Sequence, residues 1–285
     1  MRTNNKTVEL VKKALIEAGS TFRDDKKRAY CSFIKNELNQ NSKWALETIL
    51  ENAEVAQKTK SPLCDDTGIP HLLLEIGKDI SFTGQMLLDI KKGIKEGLKE
   101  LPGRPMAIMG NDFERISQEK GISLNSEDVE PSPLIVRYVD ENVLRLHILL
   151  FGGGPAIRAK TFRIFHKHDT KVVLDEVINW AKQSVLELGC TPCTLGIGIG
   201  RSHFEATALM VEALVDGNYD SQSKMENYIT EEVNKTNTGP LGLGGNSSVL
   251  ATFMKVGPQR ASGVRIVCLR PCCCFEPRIA TVNLL

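Results

Sequence analysis

The residues best suited to chemistry are three cysteines, each in its own glycine- or proline-marked turn. Cys64 lies in Ser61-Pro62-Leu63-Cys64-Asp65-Asp66-Thr67-Gly68, Cys190 in Leu188-Gly189-Cys190-Thr191-Pro192, and Cys274 in Cys272-Cys273-Cys274-Phe275-Glu276-Pro277-Arg278. Zinc ribbons and ferredoxins supply thiolates in close C-x-x-C pairs, whereas these three are far apart in sequence. Lone loop cysteines suit an iron–sulfur cluster gathered by the fold, with three of its four irons held by the chain. The fourth iron is then a Lewis acid open to a substrate oxygen. Cys190 and Cys193 do have C-x-x-C spacing, so a redox or zinc reading stays open. Cys272, Cys273 and Cys274 are consecutive, and neighbours in an extended segment point to opposite faces. One tight site therefore takes one face of that run, Cys274 or Cys272. Cys193 and Cys268 fall in expected strands and read as small hydrophobes.

The glycine-rich stretches are not nucleotide loops. A dinucleotide fingerprint from Gly196 needs glycine at 201, where Arg201 stands; a phosphate loop over Gly239 and Gly244 needs lysine at 245, where Gly245 stands. Close approach of the backbone to a cluster or carboxylate, or tight packing, accounts better for Gly198 and Gly200. The helix start at Ser202 offers N–H groups to a carboxylate.

The elements that must carry these turns follow from periodicity. Residues 1–58 read as helices, with one apolar stripe at Val8, Val11, Ala14 and Leu15 and another at Trp44, Ile49, Leu50 and Ala53. A strand is expected at 71–76, then a helix burying Met86, Leu87, Ile90, Ile94 and Leu98. Segments 134–139 and 143–150 read as a hairpin about Asp140-Glu141-Asn142. A helix over 171–188 ends at Gly189. Gly alternates with Leu or Ile in a strand at 194–200, where something approaches the backbone closely. A helix begins near Ser202, another spans 221–234, and strands lie near 247–256 and 263–269. Helices and strands mix without regular alternation, so the fold class is α+β. We expect one domain over 1–285, a helical N-terminal portion (1–58) packed on a mixed α/β portion (59–285).

The 285 residues are 41% hydrophobic, enough for a sizeable core, and the net charge of +1 gives no case for nucleic acid or a membrane surface. No apolar run reaches the roughly 18–20 residues of a membrane-crossing helix. The N-terminus reads as an amphipathic helix and not as a signal peptide. Eight cysteines are too few for a disulfide scaffold of this length, and the expected compartment is the cytoplasm.

Four signatures in order, Pro62-Leu63-Cys64-Asp65-Asp66-Thr67-Gly68, Phe151-Gly152-Gly153-Gly154, Cys190 through Gly200, and Gly239-Pro240-Leu241-Gly242-Leu243-Gly244-Gly245, precede a terminal Cys274-x-x-x-Arg278. Over roughly residues 60–285 the chain resembles the α subunit, or N-terminal half, of class I fumarase and L(+)-tartrate dehydratase. The resemblance implies a [4Fe-4S] hydro-lyase acting reversibly on a four-carbon 2-hydroxy dicarboxylate of the malate/fumarate type. It implies Cys64, Cys190 and Cys274 as cluster ligands and Asp66 and Arg104 as catalytic residues. Asp65, Asp66, Arg104 and Gly154 then bind substrate, with Arg158 a weaker candidate. It also implies a separate β subunit and a homo- or hetero-oligomer. Three departures stand out. Asp65 replaces a usual glutamine; Gly244-Gly245-Asn246-Ser247 replaces Gly-Gly-Lys-Thr; and a usual histidine upstream of the last cysteine is missing from Gly257–Ser262. These favour tartrate or a methyl-substituted diacid as alternative substrate, or a non-catalytic iron–sulfur or zinc sensor. The histidines match none of the motifs.

Overall fold

The computed structural model describes residues 4–285. In chain order its first half carries α1 (Asn5–Ser20), α2 (Asp24–Asn36), α3 (Gln40–Thr59), β1 (Ile69–Gly77), α4 (Gly84–Glu100), α5 (Asp112–Ser117), β2 (Ile135–Val139) and β3 (Leu144–Phe151). There follow α6 (Gly153–Arg158), β4 (Lys160–Phe165), α7 (Thr170–Leu188), β5 (Cys193–Gly200), α8 (His203–Asp216), α9 (Lys224–Asn234), β6 (Val249–Val256), β7 (Val264–Cys272) and β8 (Arg278–Asn283). Helices and two mixed sheets make an α+β fold, as expected. The chain divides into two compact units. The first takes the residues up to Phe22, Ala53–Gly152 and Arg278–Leu285; the second takes Arg23–Asn52 and Gly153–Pro277. Among the described residues no helix is long and apolar enough to cross a membrane.

The first unit is a sheet ordered β2-β1-β3-β8, with β1 parallel to β2 and the other pairs antiparallel. One face is covered by α1 and α4. Leu72, Leu74, Leu146, Ile148 and Leu150 of the sheet meet Val11, Leu15, Ile90, Ile94 and Leu98 in a core cluster. Each such side chain removed from water contributes about 1.5–3 kcal/mol. α4 comes close to α1 because Gly93 and Gly97 leave room: a Cβ at Gly93 would sit 2.7 Å from Val8 O. The expected hairpin is corrected here, because β2 and β3 do not pair and β1 lies between them. The Glu141–Val143 turn crosses the end of β1, where Gly77 N–H donates to Val143 O at 2.8 Å. A Cβ on Gly77 would lie 2.2 Å from Glu141 O, so only glycine lets the crossing chain through.

The second unit is a sheet ordered β4-β7-β5-β6, with β5 parallel to β6. β5 is buried throughout and reads differently on its two faces. Cys193, Leu195, Ile197 and Ile199 join a core with Val177, Ala181 and Val185 of α7 and Ile229 and Val233 of α9. Gly196, Gly198 and Gly200 face α8 instead. Helix ends are set locally: Asp169 caps α7, Gly189 ends it at φ +75°, and Ser223 with Glu226 forms a capping box on α9. The expected α3 stripe is also corrected. Trp44 is exposed and Leu50 only half-buried, and the buried apolar residues are Ala45, Leu46, Ile49, Ala53 and Ala56.

Candidate functional site

In the first unit the loop between α3 and β1 carries Cys64, Asp65 and Asp66, and its shape is built by its own neighbours. Asp65 Oδ1 accepts from Asp66 N at 2.9 Å and from the Cys64 thiol at 3.5 Å, while Thr67 N donates to Asp65 O at 2.9 Å. Gly68 closes the loop at φ +90°, and a Cβ there would meet Arg278 Nη2 at 2.7 Å and the Phe151 backbone at 2.8 Å. Arg278 is buried, and it donates from Nη1 to Asp66 O at 2.6 Å and from Nε to Leu150 O at 3.2 Å. The arginine that ends the last signature thus ties the acidic loop to the end of β3.

Arg104 lies at this loop. Its main-chain N–H donates to Thr67 Oγ1 at 3.2 Å, and Gly103 makes room, since a Cβ there would sit 2.4 Å from the same oxygen. The guanidinium spans both carboxylates, with Nη1 3.4 Å from Asp65 Oδ2 and Nη2 3.9 Å from Asp66 Oδ1. Asp65 and Arg104 are exposed and Asp66 is half-buried. Such solvated pairs are weak, worth about 0–1 kcal/mol, so the guanidinium is not locked to either acid. Arg158 is placed otherwise: its Nε donates to Glu187 O at 3.0 Å and its Nη1 to Gly154 O at 3.3 Å. It thereby meets a carbonyl in the last turn of α7. Gly154 has nothing within 4 Å of where a Cβ would stand, so packing does not demand a glycine there.

In the second unit Cys190 directly follows the α7 cap and is exposed. The Cys274 main chain meets it, N–H donating to Cys190 O at 2.8 Å. Cys272 ends β7 opposite Thr194, and Cys273 packs into the apolar core with Val185 and Leu188. The adjacent Cys273 thiol and burial push the Cys274 pKa up. Burial likewise pushes up Cys193, which is inert core as expected. The Gly239–Gly245 loop is knitted to the same region. Thr191 Oγ1 donates to Gly239 O at 2.6 Å, and Leu241 N donates to Thr191 O at 3.0 Å. Gly239, at φ +67°, lies so close to Gly244 O that no side chain fits.

Three residues here carried no motif signal, and a fourth carried little. Lys26 and Tyr30, one turn apart on α2, are fully buried; Lys26 Nζ donates to Glu276 O at 2.7 Å and Tyr30 Oη to Cys274 O at 2.8 Å. Burial pulls the Lys26 pKa down to about 8, against the pull of the Cys273, Cys274 and Cys272 thiols and Glu276. Glu37, also buried, accepts from Ser247 Oγ at 2.5 Å and from Asn246 N at 3.2 Å. It thus holds the loop that departs from Gly-Gly-Lys-Thr. Arg278 was visible only as a motif terminus. All four act over long sequence separations, which leave no local pattern to find.

Two glycine expectations are settled by packing. A Cβ at Gly198 would stand 2.0 Å from Ala206 O and 2.4 Å from Met210 N, so the body that approaches β5 is α8. At the α8 N-terminus the anion is the chain's own Glu205. Its carboxylate accepts from Arg201 N and Nε, while Ser202 Oγ caps Glu205 N.

Among the described residues no three His, Cys, Asp or Glu side chains are gathered as ligands of a single ion. The second unit nevertheless suits an iron–sulfur group: an accessible thiol at Cys190, a second at Cys274 hydrogen-bonded to it through the main chain, and a buried ammonium nearby that favours negative charge on sulfur. The profile of the family described as fumarate hydratase (fumerase) matches residues 8–283. A Methanocaldococcus jannaschii protein assigned as L(+)-tartrate dehydratase subunit alpha is 27% identical, across 98% of this chain and 96% of its own length. The L(+)-tartrate dehydratase subunit alpha of Escherichia coli K12 is 22% identical across 94% of this chain and 88% of its own. A Geobacillus stearothermophilus protein assigned as class I fumarate hydratase is 24% identical across 88% of this chain but only 50% of its own length.

Proposed function

Since the chain belongs to the fumarate hydratase family, we propose that it is the α subunit of a hydro-lyase that reversibly dehydrates a four-carbon 2-hydroxy dicarboxylate. Cys64, Cys190 and Cys274 would hold a [4Fe-4S] cluster. When bound, that cluster supplies an iron without a protein thiolate, a Lewis acid toward hydroxyl and carboxylate oxygens. The observation that carries the reading is Arg104 set against Asp65 and Asp66 of the loop that holds Cys64. A guanidinium grips a substrate carboxylate through two parallel hydrogen bonds, and its solvated contacts with the two acids are weak enough to yield. Asp66, half-buried and fixed by Arg278 through its main chain, is the group to take or relay the proton from the substrate carbon. The open space beside Gly154 suits close approach of a ligand to its backbone. Cys274 is favoured over Cys272 because its main-chain N–H meets Cys190 O at 2.8 Å, whereas Cys272 pairs with Thr194 in the sheet.

A separate β subunit would complete the enzyme, in a homo- or hetero-oligomer of the cytoplasm. Relatives named as alpha subunits, and a relative twice this chain's length, support that division. Asp65 favours a tartrate-type substrate over malate or fumarate. A carboxylate there accepts a hydrogen bond from a second substrate hydroxyl, and a plain diacid without one would be repelled.

The test is anaerobic co-expression with the β subunit, followed by a dehydration screen over malate, both tartrates and citramalate. Turnover of one of them is expected. Arg104→Lys should raise KM at least tenfold while leaving iron content unchanged. A colourless complex that holds zinc, or one that turns over none of these acids and is not protected by them from cluster loss in air, rejects the hydro-lyase reading.

A further inference from the structure

The second unit holds a cavity of about 430 Å³, within the range of small-molecule sites. Thr170, at the start of α7, lines it, and Cys190 lies just past the other end of that helix, whose 19 residues span about 28 Å. β5 repeats the arrangement, with Ile199 in the cavity and Cys193 at the strand's opposite end. A small molecule held here is out of reach of Cys190. The lining combines two chemistries. Val173, Leu174, Ile199 and Val256 make an apolar wall, and Val256 is 55% exposed, so apolar surface remains for a ligand to cover. The polar side is built around Arg265. Its Nη1 donates to the carbonyls of Arg260, Ser262 and Val264 at 3.5, 3.3 and 3.0 Å. Among the described residues no carboxylate meets this guanidinium, so main-chain oxygens orient the cation without neutralising it. The turn before α7 is fixed to the same point. His166, buried, donates from Nε2 to Ser262 O at 2.7 Å and accepts from His168 N at 3.0 Å. Asp169 caps α7 through Oδ1, which accepts from Lys171 N at 2.8 Å and leaves Oδ2 for a donor.

We propose that this cavity is a second ligand site, for a small aliphatic carboxylic acid bearing an α-amino or α-oxo group. Arg265 takes the carboxylate through Nε and Nη2, the two parallel donors that its carbonyl contacts leave open. The hydrocarbon lies on the apolar wall, where each methylene removed from water adds to affinity. An α-ammonium meets Asp169, and an α-oxo group meets an N–H of the His168 ring. The site uses none of the residues assigned to the hydro-lyase reaction, so it stands or falls apart from that reading.

The experiment titrates the full chain by calorimetry with acetate, butanoate, 4-methylpentanoate, L-leucine and 4-methyl-2-oxopentanoate at millimolar concentrations. Amide exchange of the wild type then locates the bound acid. Along the three unsubstituted acids affinity should rise about fourfold per methylene. Exchange should slow in residues 166–174 and 259–265 and stay unchanged in 64–68. Arg265→Gln keeps a donor for the carbonyls and loses the charge, and should weaken binding about tenfold. Tighter binding of L-leucine identifies an amino acid as the ligand, and Asp169→Asn, which still caps the helix, should then abolish that preference. Tighter binding of 4-methyl-2-oxopentanoate identifies an oxo acid; either order supports the shared chemistry. Failure of all five acids to bind overturns the proposal, as does affinity indifferent to chain length. Protection at 64–68 in place of 166–174, or an Arg265→Gln chain that binds as wild type does, overturns it too. Should Arg265→Gln not fold, the chain-length series and the wild-type exchange map decide alone.

Discussion

Two glycines that look alike in sequence should respond in opposite ways to one added methyl. At Gly198 a Cβ would stand 2.0 Å from Ala206 O and 2.4 Å from Met210 N, both in the backbone of α8. To restore even a 3.0 Å contact the helix must withdraw by about 1 Å, and Met210 and Leu214, buried on that helix, must move with it. Overpacking of this kind costs about 1–3 kcal/mol, and backbone obstacles relax least. Restricting the unfolded chain returns only about 0.4–1 kcal/mol, so Gly198→Ala should lose about 2 kcal/mol or fail to fold. At Gly154 nothing lies within 4 Å, and the residue is in the first turn of α6. Gly154→Ala should leave stability within about 0.5 kcal/mol of wild type, yet lower kcat/KM in the assembled enzyme if substrate approaches that backbone. The assay is urea denaturation of the isolated chains followed by steady-state kinetics of the complexes. A Gly198→Ala midpoint equal to wild type would refute the packing argument. A Gly154→Ala enzyme with unchanged kcat/KM would remove Gly154 from the substrate site.

Three further expectations follow from the geometry. Cys64→Ser, Cys190→Ser and Cys274→Ser should each lose the iron that Cys193→Ser and Cys31→Ser retain; iron retained in Cys274→Ser but lost in Cys272→Ser would move the third ligand. Arg278→Met removes the donors to the carbonyls of Asp66 and Leu150, which should cost about 1–3 kcal/mol and speed amide exchange in residues 64–68; unchanged exchange there would show that the loop holds itself. Acid should destabilise the first unit in two stages. His147 is held below its usual 6.5 by burial, only partly offset by Glu75 3.3 Å away, so the unfolded chain binds the proton first. The stability His147 contributes is full above pH 6.5 and lost as pH falls below it. Burial alone would raise Glu75, but hydrogen bonds from Arg137 and the charge of His147 hold it below 4.5, so its contribution is lost at still lower pH. His147→Gln should flatten the stability profile just below about pH 6.5; an unaltered slope would clear His147 of the effect.

Much of the architecture was legible because it is written over short spans. The Val8-Val11-Leu15 stripe, the Gly189 stop and the Ser202 helix start each need only a few consecutive residues. Trp44 misled because a large aromatic on a helix is read as core by type, whereas the smaller Ala45, Ala53 and Ala56 line the buried side. The glycine alternation in β5 was read as close approach, correctly, but sequence could not say of what, since a helix backbone and a ligand make the same demand.

The sequence by itself determined the chemistry on offer, three turn cysteines, an acidic loop and an arginine, together with most helices and strands and an α+β class. Tertiary structure decided what lies next to what. β1 enters between two strands that are neighbours in sequence, Arg278 reaches back to Asp66, and Lys26 and Tyr30 stand behind Cys274. The physical reason is range. Periodicity and caps act within a turn or two, but strand order and buried polar contacts are chosen by competition among surfaces up to hundreds of residues apart. In that competition burial and hydrogen-bond satisfaction outweigh any local preference.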